Sequence, residues 1–290
     1  MLWPMNTWIT SGVHHRPFIH GHILSMLGLS VSMLAWSISV AHGQLRIEFD
    51  YTISAAKIDV GRITAIADLE QADYTISAKA TVSRLARLLA SGEGSSIVHG
   101  TVQNGRLVPS TLESTSTFKG DPPRLRVEFE GGHVSKLDIP TSGGDRVPLT
   151  DQHLSGVIDP LTALLSLAGD ANVPLERICE GRTLSVFDGY LRYDVKLAYD
   201  RLDTVKRTSN GDMPAVVCRL KMVPIAGHSP SNPLLKLVAD RDLAVTLTRL
   251  PATSFAAPYR IALETWAANL VVQASRFEAM ILPAPKTMPQ

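Results

Sequence analysis

From residue 45 onward the chain alternates apolar and polar residues with a period of two, the pattern of strands that bury one face. Leu45, Ile47, Phe49, Tyr51 and Ile53 alternate with Arg46, Glu48, Asp50 and Thr52, which predicts a strand over 45–55. The same reading predicts strands over 62–69, 73–82, 96–103, 106–118, 124–130 and 133–138. In the second half it predicts strands over 183–187, 190–199, 215–223, 243–249, 259–267 and 270–278. Asn104-Gly105 and Gly131-Gly132 supply residues that accept positive φ at hairpin tips, and Asp188-Gly189 does so within Phe187–Tyr190.

Two short helices interrupt this pattern. Ser83 can cap Arg84–Ala90, closed by Gly92, and Asp159-Pro160 opens a helix through Ala168, closed by Gly169. Both are too short to stand alone and are expected to plug or cover a sheet end. The predicted fold class is mainly β: a strongly curved antiparallel sheet forming a barrel or open half-barrel, with two short helices. The expected organisation is one β domain over 44–282, with a possible internal joint at 140–148 and a disordered tail over 283–290.

Residues 1–43 are different. They hold one charged residue, Arg16, and the uncharged apolar run Ile23–Ala41, followed by small residues at Ala41 and Gly43. This is the layout of a cleaved secretory signal. An uncleaved N-terminal anchor is the alternative, since such a run is long enough to span a bilayer. The rest of the chain carries 27 basic and 27 acidic residues. That balance disfavours a nucleic-acid partner held by bulk positive charge. Cys179 and Cys218 are the two cysteines of the chain. In an exported protein they read most simply as a disulfide, worth about 4 kcal/mol in the chain-entropy model, with two buried free thiols as the alternative.

Candidate chemistry is sparse. Gly227-His228-Ser229-Pro230-Ser231 resembles a nucleophile elbow but lacks its final Gly, and Pro230 has no N–H for an oxyanion hole. His99, His133, His153 and His228 are widely spaced, with no H-E-x-x-H or H-x-H among them, so no metal site is predicted. No phosphate-binding loop or other cofactor motif occurs either. Asp159, Asp188, Arg192, Tyr193, Asp194 and His228 form the one concentration of polar residues that could converge. Each also has a structural reading: Asp159 as a helix cap, Asp188 as a hairpin tip, and Arg192 and Asp194 on the outward face of a strand that turns Tyr193 inward.

The ordered strings Ile58-Asp-Val-Gly61, Ser83–Leu89, Gly156-Val-Ile-Asp-Pro-Leu-Thr-Ala163, Cys179–Asp194 and Cys218–His228 resemble the bacterial exported family DUF3108, a domain of unknown function. The resemblance implies a secreted or periplasmic, β-rich protein. It supports the disulfide, because both cysteines fall inside its matching strings, and it implies no catalytic residues.

Three functions follow as expectations. The first is a non-enzymatic periplasmic protein whose curved sheet holds a hydrophobic, lipid-like molecule, or an envelope protein partner, against a concave apolar face. The second is a cell-envelope hydrolase using Asp159 and Asp188 with His228. The third is a structural envelope component, expected if side chains fill the inside of the sheet. No stable membrane span is expected after signal cleavage.

Overall fold

The computed structural model describes residues 44–83, 92–118, 124–140, 145–167, 173–207, 211–250, 256–264 and 269–283, all within one compact unit over 41–290. The signal or anchor segment over 1–43 and the helix expected over 84–90 lie outside the described residues, as do 284–290 of the tail.

The first seven strands are β1 (Gln44–Ala55), β2 (Ile58–Leu69), β3 (Asp73–Val82), β4 (Glu93–Gln103), β5 (Arg106–Ser116), β6 (Arg124–Glu130) and β7 (His133–Asp138). The next six are β8 (Thr183–Phe187), β9 (Arg192–Arg207), β10 (Gly211–Ala226), β11 (Asp242–Arg249), β12 (Ala256–Glu264) and β13 (Asn269–Leu282). Each predicted strand is present; β9 and β10 run longer than their apolar alternation, as paired strands of 16 residues each. All thirteen belong to one antiparallel sheet in the order β7-β6-β5-β4-β3-β2-β1-β13-β12-β11-β10-β9-β8. The sheet is therefore two meanders, β1–β7 and β8–β13, joined where the first strand pairs with the last.

Asn104 and Gly105 take positive φ at the β4–β5 turn, as their chemistry requires. The β1–β2 turn does the same with Ala56 (φ 50) and Lys57 (φ 68), residues that carry no turn signal.

Strand pairing leaves the sheet open, with β7 and β8 as its edges, but its curvature brings them close. Gly189, beyond the end of β8, lies against Leu125 and Val127 of β6: a Cβ added there would be 3.5 Å from both. The connection from β7 to β8 crosses this gap and bonds to both sides. Val157 N–H donates to Gly132 O at 3.1 Å, Ile158 N–H donates to Ser185 O at 2.9 Å, and Phe187 N–H donates back to Ile158 O at 2.9 Å. His133 and Ser155 form a further bridge, supported by a 3.0 Å contact between His133 Nδ1 and Ser155 Oγ. Residues 155–158 thus act as a clasp between two edges that would otherwise present unpaired backbone groups.

The clasp leads into α1 (Pro160–Ser166), which lies against both β5 and β8. Pro160 at the first helical position and Asp159 before it start the helix as expected. Arg182 closes it, donating to Leu167 O at 3.1 Å and Ser166 O at 2.6 Å. Leu161 and Leu165 pack into a core with Ile47, Phe49, Val98 and Val127, while Ala163 and Leu167 pack into a second core with Val195, Val216, Val245 and Leu247. Among the described residues α1 thereby contributes to two buried clusters on the core face of the sheet. Cys179 and Cys218 are fully buried in the second core, joined with a Cα separation of 5.8 Å, which fixes the connection to β10.

A second helix, α2 (Pro233–Ala239), packs on β10 and β11 and was not expected from the sequence, although Asn232-Pro233 is a start signal and Asn232 Oδ1 accepts from Leu235 N–H at 3.0 Å. Within the segment 140–148, Val147 N–H donates to His228 O at 2.9 Å and Val147 O accepts from Gly227 N–H at 2.7 Å.

Val157→Pro deletes the donor to Gly132 O and leaves that acceptor unpaired. It is expected to lower stability by about 1–3 kcal/mol in urea unfolding followed by circular dichroism.

Candidate functional site

The polar residues singled out in the sequence gather at one end of the clasp, in three groups. At the β8–β9 tip, Asp188 Oδ1 accepts from Tyr190 N–H at 2.8 Å and Leu191 N–H at 2.7 Å, holding the turn. The Arg146 guanidinium lies 5.8 Å from the centre of the Tyr190 ring and donates to Gly227 O at 2.8 Å. Gly227 is obligatory: its φ is +82°, and a Cβ would fall 1.8 Å from Tyr190 O. The same contact places His228 beside this tip, with Nδ1 buried and unpartnered.

The second group is inside the sheet. Asp159 is fully buried, and its Oδ1 accepts from Leu161 N–H at 2.8 Å and Thr162 N–H at 2.9 Å, while Oδ2 has no partner. Tyr74 OH meets Thr162 Oγ1 at 2.7 Å. Burial raises the Asp159 carboxyl above the usual carboxylate range, against the opposing pull of the Thr162 hydroxyl and the helix N–H groups. Burial also raises Asp188, opposed by its backbone donors and by Arg146. Tyr193 is raised by burial and, in smaller part, by Asp188 and Asp159, which places it in the field of both acids.

The third group sits on the other face of β9. Arg192 Nη1 bonds Asp194 Oδ1 at 2.8 Å and Nη2 bonds Ser185 Oγ at 2.9 Å, while Ser185 Oγ donates to Asp194 Oδ1 at 3.0 Å. Each Asp in these groups is therefore engaged with structural donors. Ser229 Oγ bonds Ser231 Oγ at 3.0 Å, and among the described residues no hydrogen bond joins His228 to a serine or a carboxylate. The arrangement caps, turns and clamps; it does not assemble a nucleophile with a base. Nor do three potential metal-ligating side chains gather among the described residues.

A different feature has the geometry of a binding site. A hollow of 480 Å³ lies across β2–β6 on the face opposite the core. Strand register aligns Ile66, Ser77, Ile97 and Glu113 in one cross-strand row and Thr64, Lys79, Ser95, Thr115 and Arg124 in the next. These rows are the two walls. The backbone of Ala65, Ala78, Ser96 and Ser114, the row between them, forms the floor. Ser77 and Ser95 are small, which opens the groove, and Ile66 is 38% exposed. Ser95 Oγ and Thr115 Oγ1 bond each other at 2.8 Å. Lys79 pairs with Glu93 at 2.8 Å, and Glu113 pairs with Arg126.

Comparison with known proteins adds the family. The model of a protein family described as "Protein of unknown function (DUF3108)" matches residues 50–267. The chain belongs to the DUF3108 family. No curated protein matches it in sequence. Among solved structures it is similar to the crystal structure of a β-barrel-like protein of domain of unknown function DUF1849 from Brucella abortus. Identity is 9%, the TM-score is 0.44, and the match covers 83% of this chain and 99% of that one.

The groove of this DUF3108 protein was missed in the sequence because it is a cross-strand feature. The available signal was Ile66 and Ile97, apolar residues at positions whose neighbours two residues away, Thr64, Asp68, Ser95 and His99, are polar.

Asp159 yields a direct test. Because its native pKa is raised, the native state binds the proton more tightly than the unfolded chain. Its contribution to stability therefore falls as pH rises from about 4, the unfolded value, towards the native pKa. Asp159→Asn keeps a good cap and removes the ionisation. Thermal melts of the two proteins across pH are expected to show the variant gaining on wild type through this window. A pH-independent difference would contradict the assignment.

Proposed function

We propose that this DUF3108 protein is an exported, non-catalytic binding protein of the bacterial cell envelope, and that its ligand is an apolar or amphipathic molecule lying in the groove across β2–β6. The observation that carries the reading is the groove itself: a hollow of 480 Å³, within the usual size range of small-molecule sites, with the exposed Ile66 and the half-buried Ile97 on one wall of an otherwise polar sheet face. On the core face, α1 and side chains of the sheet pack into two buried apolar clusters among the described residues. Export is supported by the uncharged run Ile23–Ala41 and by the two cysteines standing at disulfide distance, a pairing typical of oxidising compartments. The structural commitments of Asp159, Asp188 and Ser229 support binding over hydrolysis.

The buried clusters on the core face also favour a second reading, a structural envelope component with no small ligand. One experiment separates the two. Delipidated protein titrated with N-phenylnaphthylamine is expected to give a saturable fluorescence rise, and mass spectrometry of freshly purified protein is expected to find a co-purified amphiphile. Ser77→Trp, which fills the groove from an outward position on one wall, is expected to weaken uptake about tenfold or more with little change in melting temperature. Absence of both probe uptake and co-purified lipid would leave the structural reading.

A further inference from the structure

The two walls of the groove differ in chemistry, and the difference selects a ligand class. One wall presents Ile66 and Ile97; the other presents Lys79 and Arg124 with the hydroxyls of Ser95 and Thr115 between them. The charges are not equivalent. Lys79 is engaged by Glu93, and Glu113, the one carboxylate on the lining, is engaged by Arg126. Arg124 is exposed and forms no ion pair or side-chain hydrogen bond among the described residues. Among the described residues the unbalanced charge of the groove is thus a single cation at its β6 end.

The dimensions are those of one extended chain. The groove crosses five strands, four inter-strand steps or about 19 Å, and its walls are two residues apart along each strand, about 7 Å. That spacing leaves no room for two acyl chains side by side.

Resting on the binding reading above, we infer that the occupant is a single-chain amphiphile with an anionic head, a long-chain carboxylate. It lies across the strands with its head on the Arg124 guanidinium and its chain along Ile97 and Ile66. Guanidinium matches a carboxylate with two parallel N–H···O bonds, and the isoleucine wall removes methylene groups from water.

The test compares laurate with dodecanol, which share a chain and differ in head charge, by isothermal titration of the full mature chain below their aggregation concentrations. Wild type is expected to bind laurate about tenfold more tightly than dodecanol, a preference that weakens as salt is raised. Arg124→Gln is expected to bring the ratio close to one. Arg106→Gln, the same change at the β4–β5 turn outside the lining, is expected to keep the wild-type ratio. Equal binding of the two ligands by wild type, or a preference that survives Arg124→Gln, would overturn the inference while leaving the groove a binding site. Failure of both ligands to bind would reject the binding reading itself.

Discussion

Three backbone hydrogen bonds made by Val157 and Ile158 hold the two edges of a thirteen-stranded sheet together. Everything inside the sheet depends on them. A meander that pairs its first strand with its last has no further strand to close it, so β7 and β8 each retain a free edge. Such edges attract other chains unless they are covered. Here the cover is the chain's own connection between the edges. The clasp then delivers Asp159 and α1 to the interior, and Arg182 and the Cys179–Cys218 pair fix the far end of the same connection. Closure, plugging and cross-linking are properties of one segment.

This arrangement moves the functional question to the outside of the sheet. Among the described residues α1 packs against Ile47, Val98 and Val127 on the core face, and the buried polar groups near it hold the helix and the β8–β9 tip. Asp159 carries the cost of an unpartnered carboxylate oxygen because its other oxygen supplies the helix cap at the end of the clasp. Asp188 and Gly227 shape the tip that closes against β6 and the 145–149 segment. The outer groove, by contrast, is made of side chains whose removal would leave the core packing untouched.

Local features were legible in the sequence and non-local ones were not. Strand alternation such as Leu45–Ile53 reports burial directly, and the Asn104-Gly105 and Asp159-Pro160 signals act within a few residues, so these elements are found where the pattern puts them. The cysteine pair was legible because the chain contains two cysteines and the apolar run near its start suggests export. The β1–β2 turn was not, because Ala56 and Lys57 adopt positive φ under the demand of a long hairpin and carry no intrinsic preference for it. The clasp is four residues without alternation, and its partners, Gly132 and Ser185, are set by how far the whole sheet curls. Convergence of Asp188 and His228 on Tyr190 follows from the β8–β9 turn and from the β9–β10 register, which sets Ala226 opposite Arg192. The groove depends on register: Ile66 and Ile97 are 31 positions apart and become wall-mates only because β3 sets Ser77 between them.

Native-state hydrogen exchange at the Val157, Ile158 and Phe187 amides tests the closed architecture most directly. These N–H groups belong to no long ladder, and their only partners are across the clasp. The account predicts protection comparable to that of the β6–β7 and β8–β9 ladder amides, lost together with them in one cooperative opening. Exchange at the rate of an exposed loop, with the flanking ladders still protected, would show the edges unjoined and would contradict it.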